Sequence, residues 1–225
     1  MRKYILILLL LFNLSILNAQ SNDCNSIVNF GDIEICLPNI VGMNECFSDP
    51  LVKINADRLK ADDNEVILGI YLLDDIYKSR YNNFLENGFG NPYIKVYSTK
   101  LTKGVYVDES TLVELSSVIR LLFDNYEESS VKSNLESFGN DLNISFGKPL
   151  LLEEYETSPK IKSFVVLFNI KSGDENIVVT TVLNTLIIKN RLIFFAYYDE
   201  YTGMNDINKT KASNDYLALS LLVGN

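Results

Sequence analysis

The sequence predicts an α+β domain with a mainly antiparallel sheet flanked by helices. Three observations carry that expectation. Asn176 to Tyr201, NIVVTTVLNTLIIKNRLIFFAYYDEY, reads as two long strands joined at Lys189-Asn190-Arg191, with β-branched and aromatic residues in both arms and no proline. The other strand-like runs group as hairpins rather than alternating with helices. Helical periodicity falls between these groups and again at the C-terminal end.

The N-terminus has the layout of a secretory signal peptide. Met1-Arg2-Lys3 is the positive region, Tyr4 to Ile16 the apolar stretch, and Ala19 the small residue before a cut at Gln20. The apolar stretch is shorter than the roughly 20 residues a spanning helix needs. A lipid anchor is disfavoured because Cys24 follows Asp23. The Leu-Asn-Ala-Gln ending resembles bacterial signal peptides. The expected organisation is a signal peptide over 1–19, a loose arm over 20–30 and a single domain over 31–225, exported to the periplasm or beyond. Cleavage would remove Arg2 and Lys3 but no acid, so the formal charge of −9 becomes −11. An acidic surface disfavours nucleic acid and anionic membranes, which attract basic patches.

Taken in order, Asp32 to Leu37 is a short strand stopped by Pro38. Ser48-Asp49-Pro50 opens a helix to about Leu59, with a capping side chain followed by a proline that needs no N–H partner. Asp62-Asp63-Asn64 is a polar turn before Glu65 to Leu73, an apolar run that predicts a strand buried on both faces. Asp74-Asp75 ends that strand. Ile76, Tyr77, Tyr81, Phe84 and Leu85 have helical spacing, and Asn87 to Pro92 is a loop. Tyr93 to Ser98 alternates as a strand. Asp108 to Thr111 opens a helix over about 109–125, with Leu112, Leu115, Ile119, Leu122 and Phe123 as its apolar stripe. A weaker helical run covers 129–138. Lys148 to Glu156 and Lys160 to Ile170 form a hairpin, and the turn at Ser172-Gly173-Asp174 leads into the long central one. Thr202-Gly203 breaks the last strand. Asn205 or Asp206 caps a final helix to about Leu222, with Leu217 and Leu221 facing the sheet.

Over residues 160–222 this succession of strand, turn, IVVTTVLNTLIIKNRLIFFAYY and the helix around Asp215-Tyr216-Leu217 resembles the PsbP-like fold. That fold is shared by an extrinsic photosystem subunit, Ran-binding proteins of the Mog type and several bacterial secreted domains. The resemblance implies a PsbP-like sandwich with a non-catalytic binding or assembly role. It carries no catalytic motif and assigns no functional residue.

The chain has no histidine, so the commonest general base and metal ligand is missing, and Ser-His-Asp and Cys-His arrangements are excluded. It lacks a G-x-S-x-G, a P-loop and a dinucleotide fingerprint; Gly88-Phe89-Gly90 has neither the third glycine nor the strand-to-helix context. Asp62 to Glu65 lacks the alternating acids of a calcium loop. No catalytic residue, metal ligand or cofactor is expected. Cys24, Cys36 and Cys46 have no metal-site spacing. In an oxidising compartment a Cys36–Cys46 bridge is open, as is Cys24 with either, or all three stay thiols. Asp74-Asp75, Glu153-Glu154 and Asp199-Glu200 are the acidic pairs that a glycosidase or a basic partner could use, although neighbours on a strand point to opposite faces. Alternation puts Phe195 and Tyr197 on one face and Phe194 and Tyr198 on the other. Tyr198 and Tyr201 are the aromatic candidates for partner contact. Three function classes stand open: a secreted binding or assembly module for a protein or small ligand, an acidic immunity-type protein that neutralises a basic effector, and a hydrolase built on carboxylates.

Overall fold

The structure, a computed structural model, describes residues 24–58, 60, 62–87, 91–125, 144–172 and 175–225. The signal segment, the helical run over 129–138 and Gly88-Phe89-Gly90 lie outside the described residues. In chain order the elements are β1 (Cys24–Phe30), β2 (Ile33–Pro38), β3 (Met43–Glu45), α1 (Pro50–Arg58), β4 (Glu65–Leu73), α2 (Asp74–Asn87), β5 (Tyr93–Thr99), α3 (Glu109–Asp124), β6 (Ile144–Phe146), β7 (Leu150–Ser158), β8 (Ile161–Ser172), β9 (Glu175–Ile188), β10 (Arg191–Glu200) and α4 (Met204–Val223).

Among the described residues the main sheet runs β3-β4-β5-β10-β9-β8-β6, and β7 also pairs with β8. Every ladder is antiparallel. The class read from the sequence is therefore the class of the fold. The β9–β10 hairpin is central and tighter than expected: Ile188 faces Arg191, and only Lys189 and Asn190 turn, with φ of 47° and 60°. Two residues at positive φ match the twist of the flanking strands, which is why such loops close long hairpins.

The sheet is covered on both faces, and strand alternation decides which side chain meets which cover. Ile94, Val96, Ile193, Phe195 and Tyr197 pack with Leu217, Ala218 and Leu221 of α4 and with Phe30, Ile35 and Leu37 of the β1–β2 ribbon. On the opposite face, Ile67, Ile70 and Leu72 meet Val52 and Ala56 of α1. Leu112 and Ile119 of α3 sit on Ile187 and Leu192 and on Phe164 and Val166. Val165, between those last two, instead packs with Ile207 of α4. No helix among the described residues is long and apolar enough to cross a membrane.

Local chemistry sets the helix starts. Asp49 accepts the Leu51 N–H at 2.9 Å ahead of Pro50, and Asp108 accepts the Thr111 N–H at 3.0 Å in a capping box. The last helix differs from expectation. Gly203 is its N-cap with no side-chain bond, and Asp206 reaches back to the Thr202 N–H and hydroxyl at 2.9 and 2.7 Å. Asp74 and Asp75 begin α2 rather than merely ending β4. Leu122 is exposed, because only one side of α3 touches the sheet.

Two expectations about the N-terminal region are overturned. Residues 24–30 are not a loose arm: they pair with β2, and Phe30 is fully buried. Their apolar signal was diluted because the ribbon keeps one face in solvent, leaving Ile27 exposed. The bridge joins Cys24 to Cys36, not Cys36 to Cys46. The main sheet separates the latter two. Cys36 lies on the ribbon under α4, whereas Cys46 is buried with the α1 cluster and donates to the Ile70 carbonyl at 3.3 Å. Burial pushes the Cys46 thiol up to about 12, which leaves it inert at neutral pH. The bridge spans 12 residues, a separation for which chain-entropy arguments give about 3 kcal/mol. Cys24→Ser should therefore lower urea-denaturation stability by about 2–3 kcal/mol; an unchanged midpoint would show that the β1 ladder alone holds the ribbon.

Candidate functional site

The acidic pairs do not converge. Glu153 bonds Lys211 of α4 at 2.6 Å, and its neighbour Glu154 pairs with Arg120 of α3 on the opposite face. Each tethers a helix to strand β7, as alternation requires. Asp199 accepts from Thr210 of α4 at 3.2 Å, while Glu200 is exposed. Asp74 accepts from Asn44 at 2.6 Å, and Asp75 accepts the Ile76 N–H at 2.9 Å. Among the described residues no three of Cys, Asp and Glu come together to hold a metal ion. Tyr201 packs against the Val165–Val182–Ile207 cluster.

The helix α4 is seated by a buried polar cluster. Asn184 donates to the Phe195 carbonyl at 2.9 Å and to Asn214 at 2.6 Å, and accepts from Ser163 at 2.7 Å. Tyr155 donates to Asp215 at 2.7 Å at its margin. These groups satisfy one another, so the cluster fixes position rather than presenting chemistry.

A different set of side chains is gathered on the other face of the sheet. Tyr93, Lys95 and Tyr97 alternate along β5 and share a face; across from them on β10 stand Tyr198, Ala196 and Phe194. Tyr93 and Tyr198 stack with ring centroids 4.4 Å apart and planes within 7°, and Tyr97 and Phe194 stack at 5.2 Å. Between these two stacks Lys95 pairs with Glu65 at 2.6 Å and lies 4.9 Å from the Tyr97 ring centre. The shelf falls between two helical covers, since Tyr93 belongs to the cluster under α1 and Phe194 to the one under α3. All four rings are half-buried, whereas Phe195 and Tyr197 on the α4 face are buried. Thr181, directly across from Tyr198 on β9, is 3% exposed and its hydroxyl has no hydrogen-bond partner.

Burial raises the phenols of Tyr93, Tyr97 and Tyr198, with the Glu65 charge adding to the effect, so these groups remain hydrogen-bond donors. Burial likewise lowers Lys95, against the pull of Glu65. The sequence singled out Tyr198 and the two-face split of β10, and both are found here. It missed Tyr93, Lys95 and Tyr97 as site residues, although their alternation was legible, and it read Glu65 as the first residue of an apolar strand rather than as the partner of a lysine. An open depression of about 370 Å³ near the β9–β10 turn includes Asp108, Glu109 and Lys160 in its lining; the α3 terminus there is already capped by Asp108.

No protein-family model, curated protein or solved structure matches the chain. The PsbP-like resemblance thus rests on the order of elements alone.

Proposed function

We propose that the protein is an exported, non-catalytic binding module whose ligand seats on the tyrosine shelf of β5 and β10. The carrying observation is the pair of half-buried aromatic stacks flanking an ion pair. Core aromatics are normally sealed; stacked rings left partly open beside a charged pair are where a ligand gains contacts. The absence of histidine and the engagement of Glu153, Glu154, Asp74 and Asp199 in tethering contacts favour binding over a carboxylate hydrolase. Export is supported by the signal-like N-terminus and by a disulfide whose first cysteine follows soon after it.

The reading is tested on protein recovered from envelope and culture-fluid fractions of its own cells. Intact mass should correspond to a chain beginning at Gln20. Material captured by this protein should be lost when Tyr93 and Tyr198 are both replaced by alanine, with the fold retained. Capture indifferent to that replacement, or turnover of a glycan or peptide that one carboxylate substitution abolishes, would sink the proposal.

A further inference from the structure

We propose that the loop between β5 and α3 is a second docking surface, distinct from the tyrosine shelf, and that it seats on a lipid bilayer bearing anionic headgroups. Leu101, Val105 and Tyr106 enter the interface, and Lys100 and Lys103 lie among the headgroup phosphates.

The loop reads Lys100-Leu101-Thr102-Lys103-Gly104-Val105-Tyr106 and contains no acid. Leu101 is 72% exposed, Tyr106 65% and Val105 48%, and both lysines are exposed beside them. Isolated exposed apolar residues are ordinary on a protein surface, but here they crowd into one short loop. The backbone holds them outward. Lys100–Thr102 is a single 3₁₀ turn in which the Thr99 hydroxyl accepts the Leu101 N–H at 3.4 Å. The Thr102 hydroxyl donates to the Thr99 carbonyl at 3.2 Å, and the Thr102 carbonyl accepts the Val105 N–H at 3.0 Å. Val107 is buried and donates its N–H to the Asn190 carbonyl at 3.0 Å, which pins the loop to the β9–β10 turn. Gly31, in the β1–β2 turn, lies so close that a side chain there would come within 2.5 Å of the Lys103 carbonyl. A loop tied at these points keeps its apolar side chains in solvent instead of folding them back onto the protein.

The charge of the whole mature chain argues against an anionic surface, but its distribution does not. Lys100, Lys103, Lys160, Lys189 and Arg191 lie at the loop end of the sheet. The acids at that end are Asp32, Glu34, Asp108 and Glu109; Asp32 is paired with Arg191, and Asp108 caps α3. Asp74, Asp75, Asp199 and Glu200 lie at the far ends of β4 and β10. That separation turns the loop toward a negative surface and the acidic end away from it. A tyrosine, with an apolar ring and a wet hydroxyl, suits headgroup depth. Each lysine near an anionic surface strengthens attachment about fivefold. So few apolar side chains and cations make the attachment reversible.

The chain has no tryptophan, so Tyr106→Trp installs a single fluorescent reporter in the loop. The mature protein and this variant are mixed with vesicles of phosphatidylcholine containing about one third phosphatidylglycerol, the anionic lipid. The protein should float with the vesicles, and raised salt should release it. The reporter's emission should shift to the blue and be quenched by brominated acyl chains. Replacing both lysines, Lys100→Gln with Lys103→Gln, should weaken binding about 25-fold, fivefold for each. Leu101→Ser with Val105→Ser should abolish it. Leu122→Ser is the control, because Leu122 is 66% exposed but lies on α3, and it should leave binding unchanged. All of these side chains are in solvent, so the melting temperatures should stay close to that of the parent protein. Failure of the protein to float would overturn the proposal. So would flotation without a shift of the reporter, binding that ignores the changes at Leu101 and Val105, or a loss just as large from Leu122→Ser.

Discussion

Replacing Phe195 by alanine is expected to remove about 3–5 kcal/mol of stability, a large part of the 5–15 kcal/mol typical of a folded domain. Phe195 is 1% exposed and sits mid-strand on β10, with α4 and the β1–β2 ribbon packed over it. Its surroundings cannot collapse into the space, because Asn184 and Val96 flank it on paired strands and Asn184 holds its carbonyl. Cavity formation therefore adds to the lost burial of the ring. Phe194 provides the comparison. It lies on the shelf face, half-buried and stacked on Tyr97, so its removal should cost distinctly less. Urea denaturation of both variants checks the contrast. A loss below about 1 kcal/mol for Phe195→Ala would place that ring outside the core, since surface changes are usually that small.

Alkaline unfolding is the second large effect. Burial raises the phenols of Tyr71, Tyr93, Tyr97, Tyr155, Tyr197 and Tyr198; at Tyr155 a bond to Asp215 adds to it, and Tyr197 is pushed up to about 12. A phenol raised in the folded chain keeps its proton where the unfolded chain has lost it. Its stabilising contribution is complete below the unfolded value near 10 and is lost as pH rises above that value. Each such group costs the folded state about 1.4 kcal/mol per pH unit above about 10, so six cost roughly 8 kcal/mol near pH 11. Lys95 works in the opposite sense, because burial lowers it and stability gains as pH rises toward its ordinary value; it is one group against the six phenols and the Cys46 thiol, which burial raises in the same direction as the phenols. The protein should hold its stability up to about pH 9 and unfold cooperatively between about pH 10 and 12, with phenolate absorbance rising in the same transition. Ionisation of every phenol near pH 10 with the circular dichroism intact would contradict this.

The residues themselves made much of the fold legible. Glu65 to Leu73 reads as an apolar run because β4 is covered on both faces, and its bounds are those expected. Asp49-Pro50 and Asp108 marked two helix starts, since a cap is a contact within one turn of chain. The split of Phe194 and Tyr198 from Phe195 and Tyr197 follows from the geometry of one strand. Residues 24–30 were less legible because a ribbon wet on one side needs few apolar residues to hold it.

What the sequence by itself determined is therefore local: strand and helix periods, caps, the position of the long hairpin, and the class of fold to which they add. The tertiary structure decided everything that depends on which strands become neighbours. It placed Cys24 beside Cys36 and put the main sheet between Cys36 and Cys46. It turned the acidic pairs into tethers for α3 and α4. It laid β5 beside β10, and so brought Tyr93 onto Tyr198 and Tyr97 onto Phe194, residues about a hundred positions apart. Periodicity fixes the face a side chain takes within its own strand. The partner across the ladder is fixed by the register of two distant segments, and that is chosen by the packing of the whole sheet between its helices.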